Sequence, residues 1–233
     1  MATRFLTAMA GICLAATAMP AAAADSPGNP EQAGLLGRTK SLLARTMGAP
    51  ISPDVFGTVA LMAGVTIYDA RWRRVSAADQ MDPRVLAIAA TANGLDPLGK
   101  LAKIQSEIAR RIVWRRDLDG YHIADYWAEA GETLSRGFGD AEDIAILKIQ
   151  ALKAAGFDPR DLYISVGKDK SRGFDTLLLA RAGGRFYVLD DRATMPLTPE
   201  QHGRFEPIIT LGQKTSWLHG RRFRNFASRG AAQ

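Results

Sequence analysis

One cysteine, Cys13, and three histidines, His122, His202 and His219, are all that 233 residues contain of those types. Past residue 13 there is no disulfide to hold a fold together and no thiol to serve as nucleophile or soft metal ligand. Long apolar runs are also scarce. The two strongest, residues 5–18 and 59–68, fall short of the roughly 20 residues a bilayer-spanning helix needs. A strong charge of one sign is missing too: 30 Lys and Arg against 24 Asp and Glu leave +6, too modest an excess to mark a nucleic-acid binder. What remains, 47% hydrophobic and 23% charged residues, is the balance of one globular domain able to bury a core without staples.

The chain opens with Arg4, the apolar run of residues 5–18, then Pro20 and the alanines Ala21, Ala22, Ala23 and Ala24 ahead of Asp25. This is the grammar of a signal peptide over residues 1–24, cleaved near Ala24. Ile12 before Cys13, where a lipidation site needs a small residue, leaves that cysteine to depart with the peptide. The expected product is exported. Nucleic acid is then an improbable partner, and an anionic membrane surface or wall polymer a more reasonable one. Residues 25–70 read as a lead-in and an extension packing on the main domain, 71–220 as that domain, and 221–233 as a basic tail.

Within this frame the spacing predicts a short helix over residues 32–47, while residues 55–68 fit a strand or a buried helical turn. Asp82-Pro83 starts one helix, ending near Asn93-Gly94, and Asp96-Pro97 starts another, running to Trp114-Arg115-Arg116 with Leu101, Ile104, Ile108 and Ile112 on its buried face. After Gly137-Phe138-Gly139, Asp140 is placed to cap a further helix, with Asp143 in the position of a capping-box partner and Gly156 at the close. Strands are predicted over residues 162–166, 176–180 and 185–189, the last two joined by a Gly183-Gly184 hairpin. The rest, rich in Pro and Gly up to Trp217-Leu218-His219-Gly220, has no assigned element. Helices first and an antiparallel sheet after make the class α+β.

A glycine turn delivering the first residue of a buried helix is a good seat for a nucleophile, because the helix end favours an anion and offers free N–H groups. Here that residue is Ala141, which has nothing to attack with; patterning alone describes a capped helix packed on a sheet. The run Ile123-Ala124-Asp125-Tyr126-Trp127-Ala128, followed by Gly137-Phe138-Gly139-Asp140-Ala141-Glu142-Asp143-Ile144-Ala145, resembles the bacterial transglutaminase-like cysteine proteases. These are periplasmic proteins of papain/transglutaminase-type fold with the pattern D-Y-W-A-T-P and then G-x-G-D-C-E-D-Y-A. The resemblance sets Ala141 at the cysteine. It sets Asp175, in Asp175-Thr176-Leu177-Leu178-Leu179, at the histidine of H-A-V-L-A, and Asp190, in Val188-Leu189-Asp190-Asp191, at the triad aspartate of V-L-D-N. It extends over residues 71–220.

Losing both thiol and imidazole removes the working pair of a Cys–His–Asp mechanism. The resemblance therefore implies a non-catalytic periplasmic binding or regulatory protein, a pseudoenzyme holding a peptide, protein or wall-associated ligand in a relic cleft around Trp127, Phe138, Asp140 and Phe174. Two alternatives stand beside it. One is a non-thiol hydrolase with Asp175 and Asp190 as an acid/base pair; the other is a structural subunit whose cleft is filled by Phe138 or Phe174. The family's calcium requirement in some members implies an oxygen-rich site from Asp125, Asp140, Glu142 and Asp143, which would otherwise cap a helix and face solvent. Trp127 fits the core as well as the cleft. Arg221, Arg222, Arg224 and Arg229, interleaved with aromatics, could meet an anionic surface or remain a solvated tail.

Overall fold

Asp82 and Asp96 start helices as their sequence context predicts, each followed by proline at the first helical position. Asp82 accepts from the Arg84 N–H at 2.8 Å and Asp96 from the Gly99 N–H at 2.6 Å. These contacts belong to a computed structural model that describes residues 50–77 and 82–221; the predicted helix at 32–47, the leader and the tail beyond Arg221 lie outside the described residues. In chain order the elements are β1 (Val59–Ala63), α1 (Asp69–Ala77), α2 (Pro83–Ala90), α3 (Pro97–Ala109), β2 (Val113–Trp114), α4 (Asp117–Gly120), α5 (Ala130–Arg136), β3 (Phe138–Gly139) and α6 (Ala141–Ala154). They continue with β4 (Leu162–Asp169), β5 (Gly173–Ala182), β6 (Arg185–Leu189), α7 (Pro199–His202), β7 (Phe205–Leu211) and β8 (Ser216–Gly220). The class is α+β, as expected.

Six strands form one antiparallel sheet in the order β1-β8-β7-β4-β5-β6. Gly183 and Gly184, both at positive φ, turn β5 into β6, the conformation a two-residue hairpin of this kind requires. Ile164, Leu178, Leu189 and Leu211 face α6 from one side of the sheet, and Tyr163, Leu177, Leu179 and Trp217 pack with Val55 and Ala60 on the other. α6 is buried from Asp143 through Leu152. Two of its long polar side chains bury their hydrogen bonds with them: Lys148 Nζ reaches the Asp190 carbonyl at 3.0 Å and Gln150 Nε2 the Val75 carbonyl at 2.9 Å.

Three expectations need correction. The helix expected to reach Trp114 stops at Ala109, because Val113 and Trp114 leave it to pair in parallel with Phe138 and Gly139; a β-branched and an aromatic residue suit that short strand better than another helical turn. The segment at 205–220 left without assignment is the strand pair β7–β8. Pro207 fits there because β4 shifts register between Val166 and Gly167, and a bulge tolerates a residue without an N–H. A Cβ on Gly167 would lie 2.3 Å from the Glu206 carbonyl, so the close approach of strands demands glycine. Finally, residues 59–63 are a strand at the sheet's edge, which resolves the choice left open for residues 55–68 and draws part of the extension into the sheet.

Candidate functional site

Gly137 closes α5 in the left-handed conformation and β3 then carries the chain to α6. Gly139 is confined: a Cβ there would sit 2.7 Å from Asp143 Cβ. The tight passage presents Ala141, the first residue of α6, to a cleft of about 430 Å³ that it shares with Tyr68, Trp127, Val166, Asp175 and Thr176. Trp127 is buried and stacked on Tyr68 with ring centroids 5.6 Å apart, so it is core and cleft wall at once. Phe174 stands at the rim, 73% exposed. Phe138, expected in the cleft, does not line it. Its ring meets Tyr121 edge-on under the Arg115 guanidinium, because the β2–β3 pairing turns it toward α4. Neither phenylalanine fills the cleft.

Asp175, on β5, and Asp190, just after β6, converge as the resemblance implies, and a cation stands between them. Arg172, in the β4–β5 turn, lies 2.5 Å from Asp175, 3.1 Å from Asp190 and 3.1 Å from Asp191. Asp190 also meets His202 Nε2 at 2.9 Å and accepts from the Arg192 N–H at 2.9 Å. Burial alone would raise the Asp190 carboxyl. The His202 bond, the Asp191 contact, the Arg192 N–H and the Arg172 charge together outweigh it and hold Asp190 well below the usual carboxylate range. Burial raises Asp175, and Arg172 only partly offsets this. Asp191 is pushed up to about 7 by burial and by its neighbour Asp190, so this adjacent pair divides one proton unequally. Beneath it the Asp190 carbonyl is pinned by Lys148 and by Gln105 Nε2 at 2.6 Å. Lys148 is wholly enclosed, and burial lowers its ammonium to about 8.

A second acidic cluster lies at the N-terminal end of α6. Asp117, Asp140 and Glu142 each offer a carboxylate oxygen within 4.8 Å of the others. Asp140 holds the cap position of α6, yet its side chain makes no capping bond. Asp143 is likewise drawn away from the capping box: its Oδ1 accepts from the Ala128 N–H at 2.7 Å and ties α6 to the tryptophan segment. Asp117 Oδ1, Asp140 Oδ1 and Asp143 Oδ2 are buried without a hydrogen-bond partner among the described residues. Burial, then the surrounding carboxylates, raise Asp140 to about 10. Burial chiefly raises Glu142 to about 7 and Asp143 to about 8, and Asp117 is also raised. Crowded hard oxygens with orphaned lone pairs are the donor set of a divalent cation such as calcium. Of the four residues the resemblance offered for this role, Asp140 and Glu142 are in the cluster. Asp125 is instead paired with Arg71 at 2.7 Å, and Asp143 holds Ala128.

The other histidines stand apart. His219 sits between Thr58 Oγ1 and Thr210 Oγ1 at 2.7 and 2.8 Å, and burial lowers its imidazole to about 4. His122 is exposed. Residues that the sequence did not assign to the site are Asp117, Arg172, His202 and Lys148. The run Asp169-Lys170-Ser171-Arg172 sits one turn before Asp175, and that proximity was the available signal for Arg172.

A helix whose first residue opens into a cleft beside two antiparallel strands is the site architecture of the papain/transglutaminase-type fold. A family model described as bacterial transglutaminase-like cysteine proteinase BTLCP matches residues 75–202, and the chain belongs to that family. Among solved structures, LapG of Legionella pneumophila in its calcium-bound form is 20% identical, covering 69% of this chain and 93% of that one with a TM-score of 0.52. The EGTA-treated form is 21% identical, covering 57% and 72%, with a TM-score of 0.51. At such identities the likeness is one of fold. No curated protein matches the sequence closely enough to serve as a relative.

Proposed function

We propose that this chain is an exported, non-catalytic member of its family that binds an extended peptide or protein segment in the cleft beside α6. The observation that carries this reading is Ala141: a methyl group stands at the helix start where the family pattern has its thiolate. Asp175, in the place of the base, is a carboxyl group clamped on Arg172 rather than an imidazole able to shuttle a proton. The hydrolase alternative needs two carboxylates free to exchange protons with a substrate, whereas both Asp175 and Asp190 are engaged by one guanidinium and Asp190 by His202 as well. The structural-subunit alternative needs a filled cleft, and about 430 Å³ stands open.

The same reading gives Asp117, Asp140 and Glu142 a calcium ion. When bound it would supply the positive charge that their buried oxygens otherwise lack and would fix the N-terminal end of α6 against α4. No chemical step is assigned to it.

The test uses the purified chain, casein and a library of unstructured peptides. Peptides should be retained but left intact, and Ala141→Trp, which fills the cleft, should abolish retention while leaving the thermal melt within a few degrees. Cleavage that survives Asp175→Asn and Asp190→Asn but stops when another cleft residue is changed would overturn the proposal and mark a new active centre.

A further inference from the structure

The helical side of the molecule carries a second concavity, which shares no lining residue with the cleft. Its walls are α2, with Arg84, Ala87 and Ile88, and α5, with Leu134; Arg111 and Ile112, just past the end of α3, close it. About 420 Å³ lies between them. The buried Ile88 and Ile112 and the half-buried Leu134 make its floor apolar.

Charge is concentrated on one lip. Residues 83–116 hold seven cations and two acids. Asp96 is committed to capping the far end of α3, so Glu107 answers Lys103, Arg110 and Arg111 by itself. Its side chain is 7% exposed, whereas those of the three cations are 38%, 59% and 44% exposed. The face turned to solvent is therefore positive. The opposite lip is neutral, because Arg84 pairs with Asp82 at 2.6 Å and clamps α2 to α5 through Ser135 Oγ at 2.6 Å and the Gly131 carbonyl at 3.0 Å.

We propose that this groove docks an acidic amphipathic helix of a partner protein, its apolar side chains on Ile88, Ile112 and Leu134 and its carboxylates on Lys103, Arg110 and Arg111. Two properties of the walls choose this occupant. α2 and α5 bond their backbones internally and offer no edge on which a strand could pair, so the occupant must satisfy its own backbone, as a helix does. Excess positive charge beside the apolar floor calls for acids next to the apolar stripe. The same charge disfavours the chain's own remaining segments, since residues 1–49 carry four cations against two acids and residues 222–233 three against none.

Fluorescence anisotropy tests this with the purified chain and labelled helical peptides that have leucine along one face and glutamate beside it. The control peptides have lysine in place of glutamate. The acidic peptides should bind about tenfold tighter or more, and their binding should weaken as salt rises. Arg110→Gln/Arg111→Gln and, separately, Ala87→Glu should each weaken it about tenfold. Ala87 is exposed, so that variant should melt with the parent. Glu107→Gln removes the competing carboxylate and should tighten binding. Absence of binding by the acidic peptides, equal binding of both sets, or binding indifferent to Ala87→Glu would overturn the proposal. So would flotation with phosphatidylglycerol vesicles that Ala87→Glu abolishes, which would assign the groove to a membrane. A dimer in analytical ultracentrifugation that Ala87→Glu dissociates would overturn it too, by giving the groove to a second copy.

Discussion

On one side of the cleft Asp175, Asp190 and Asp191 gather round Arg172; on the other, Asp117, Asp140 and Glu142 gather round one another. Both groups are largely withdrawn from water, where an unpaired carboxylate is costly. The first contains its own cation, so Asp190 stays ionised despite burial. The second does not, so burial and mutual repulsion raise its members together. The lesson is that similar acidic composition serves opposite ends: one cluster is closed on itself and holds strands together, the other remains incomplete and suits an imported ion.

The largest expected effect tests the closed cluster. Arg172→Met removes the shared cation and leaves three buried carboxylates facing one another, so unfolding free energy should drop by about 3–5 kcal/mol. Adding Asp175→Asn to that variant should recover part of the loss. Urea unfolding at neutral pH measures both. A drop below about 1 kcal/mol in the single variant would mean that water or a neighbouring arginine replaces Arg172, and the contrast between the clusters would fail.

The open cluster should respond to metal instead. At a hundredfold excess over its Kd, calcium should stabilise the chain by about 2.7 kcal/mol relative to chelator, roughly 5–10 °C in Tm for a domain of this size. Asp140→Asn/Glu142→Gln should erase the calcium response while raising the Tm measured in chelator, since it removes repulsion. A calcium response intact in that variant would put the ion elsewhere. A response equally lost in Asp125→Asn would restore Asp125 to the ligand set in place of its pairing with Arg71.

What was legible in the sequence was local. The αL glycine at 137, the crowded glycine at 139 and the apolar face of α6 are dictated by neighbours a few residues away, and the alternation of β5 and β6 comes with its own glycine turn. The site positions at 141, 175 and 190 followed from those elements and from a motif resemblance. What stayed hidden depends on pairing at a distance. β7 and β8 look irregular because Pro207 is acceptable only beside the bulge at Gly167, on another strand. His202, one of three scattered histidines in the sequence, meets Asp190 only because α7 carries it there. Asp140 and Asp143 matched a capping pattern, yet Ala128 claims the Asp143 side chain and that of Asp140 lies in the acidic cluster without capping the helix. Asp117 enters the cluster only because α4 packs beside β3, which no spacing in the chain announces.

The smallest predicted effect sharpens the contrast inside the closed cluster. Arg172 brings one positive charge to Asp175, Asp190 and Asp191, and a proton retained by Asp191 removes a second of their three negative charges. Burial and the adjacent Asp190 raise Asp191 to about 7 from an unfolded value near 3.9. Its contribution is therefore fully present below about pH 4 and is lost as pH rises through about 7, with a slope of at most about 1.4 kcal/mol per pH unit. Asp190 has the opposite sign: its depressed folded pKa gives stability above about pH 4 that is lost on further acidification. Asp191→Asn imitates the protonated acid permanently, its amide able to donate to Asp190 while its carbonyl accepts from Arg172. The variant should match the parent near pH 5 and exceed it by about 1–2 kcal/mol at pH 8, with the Asp190-dependent loss in acid unchanged. Urea unfolding at pH 3, 5 and 8 gives the three comparisons. If Asp191→Asn differs from the parent by the same amount at pH 8 as at pH 5, Asp191 is ionised in the folded chain across that range, and the cluster holds together around Arg172 without a retained proton.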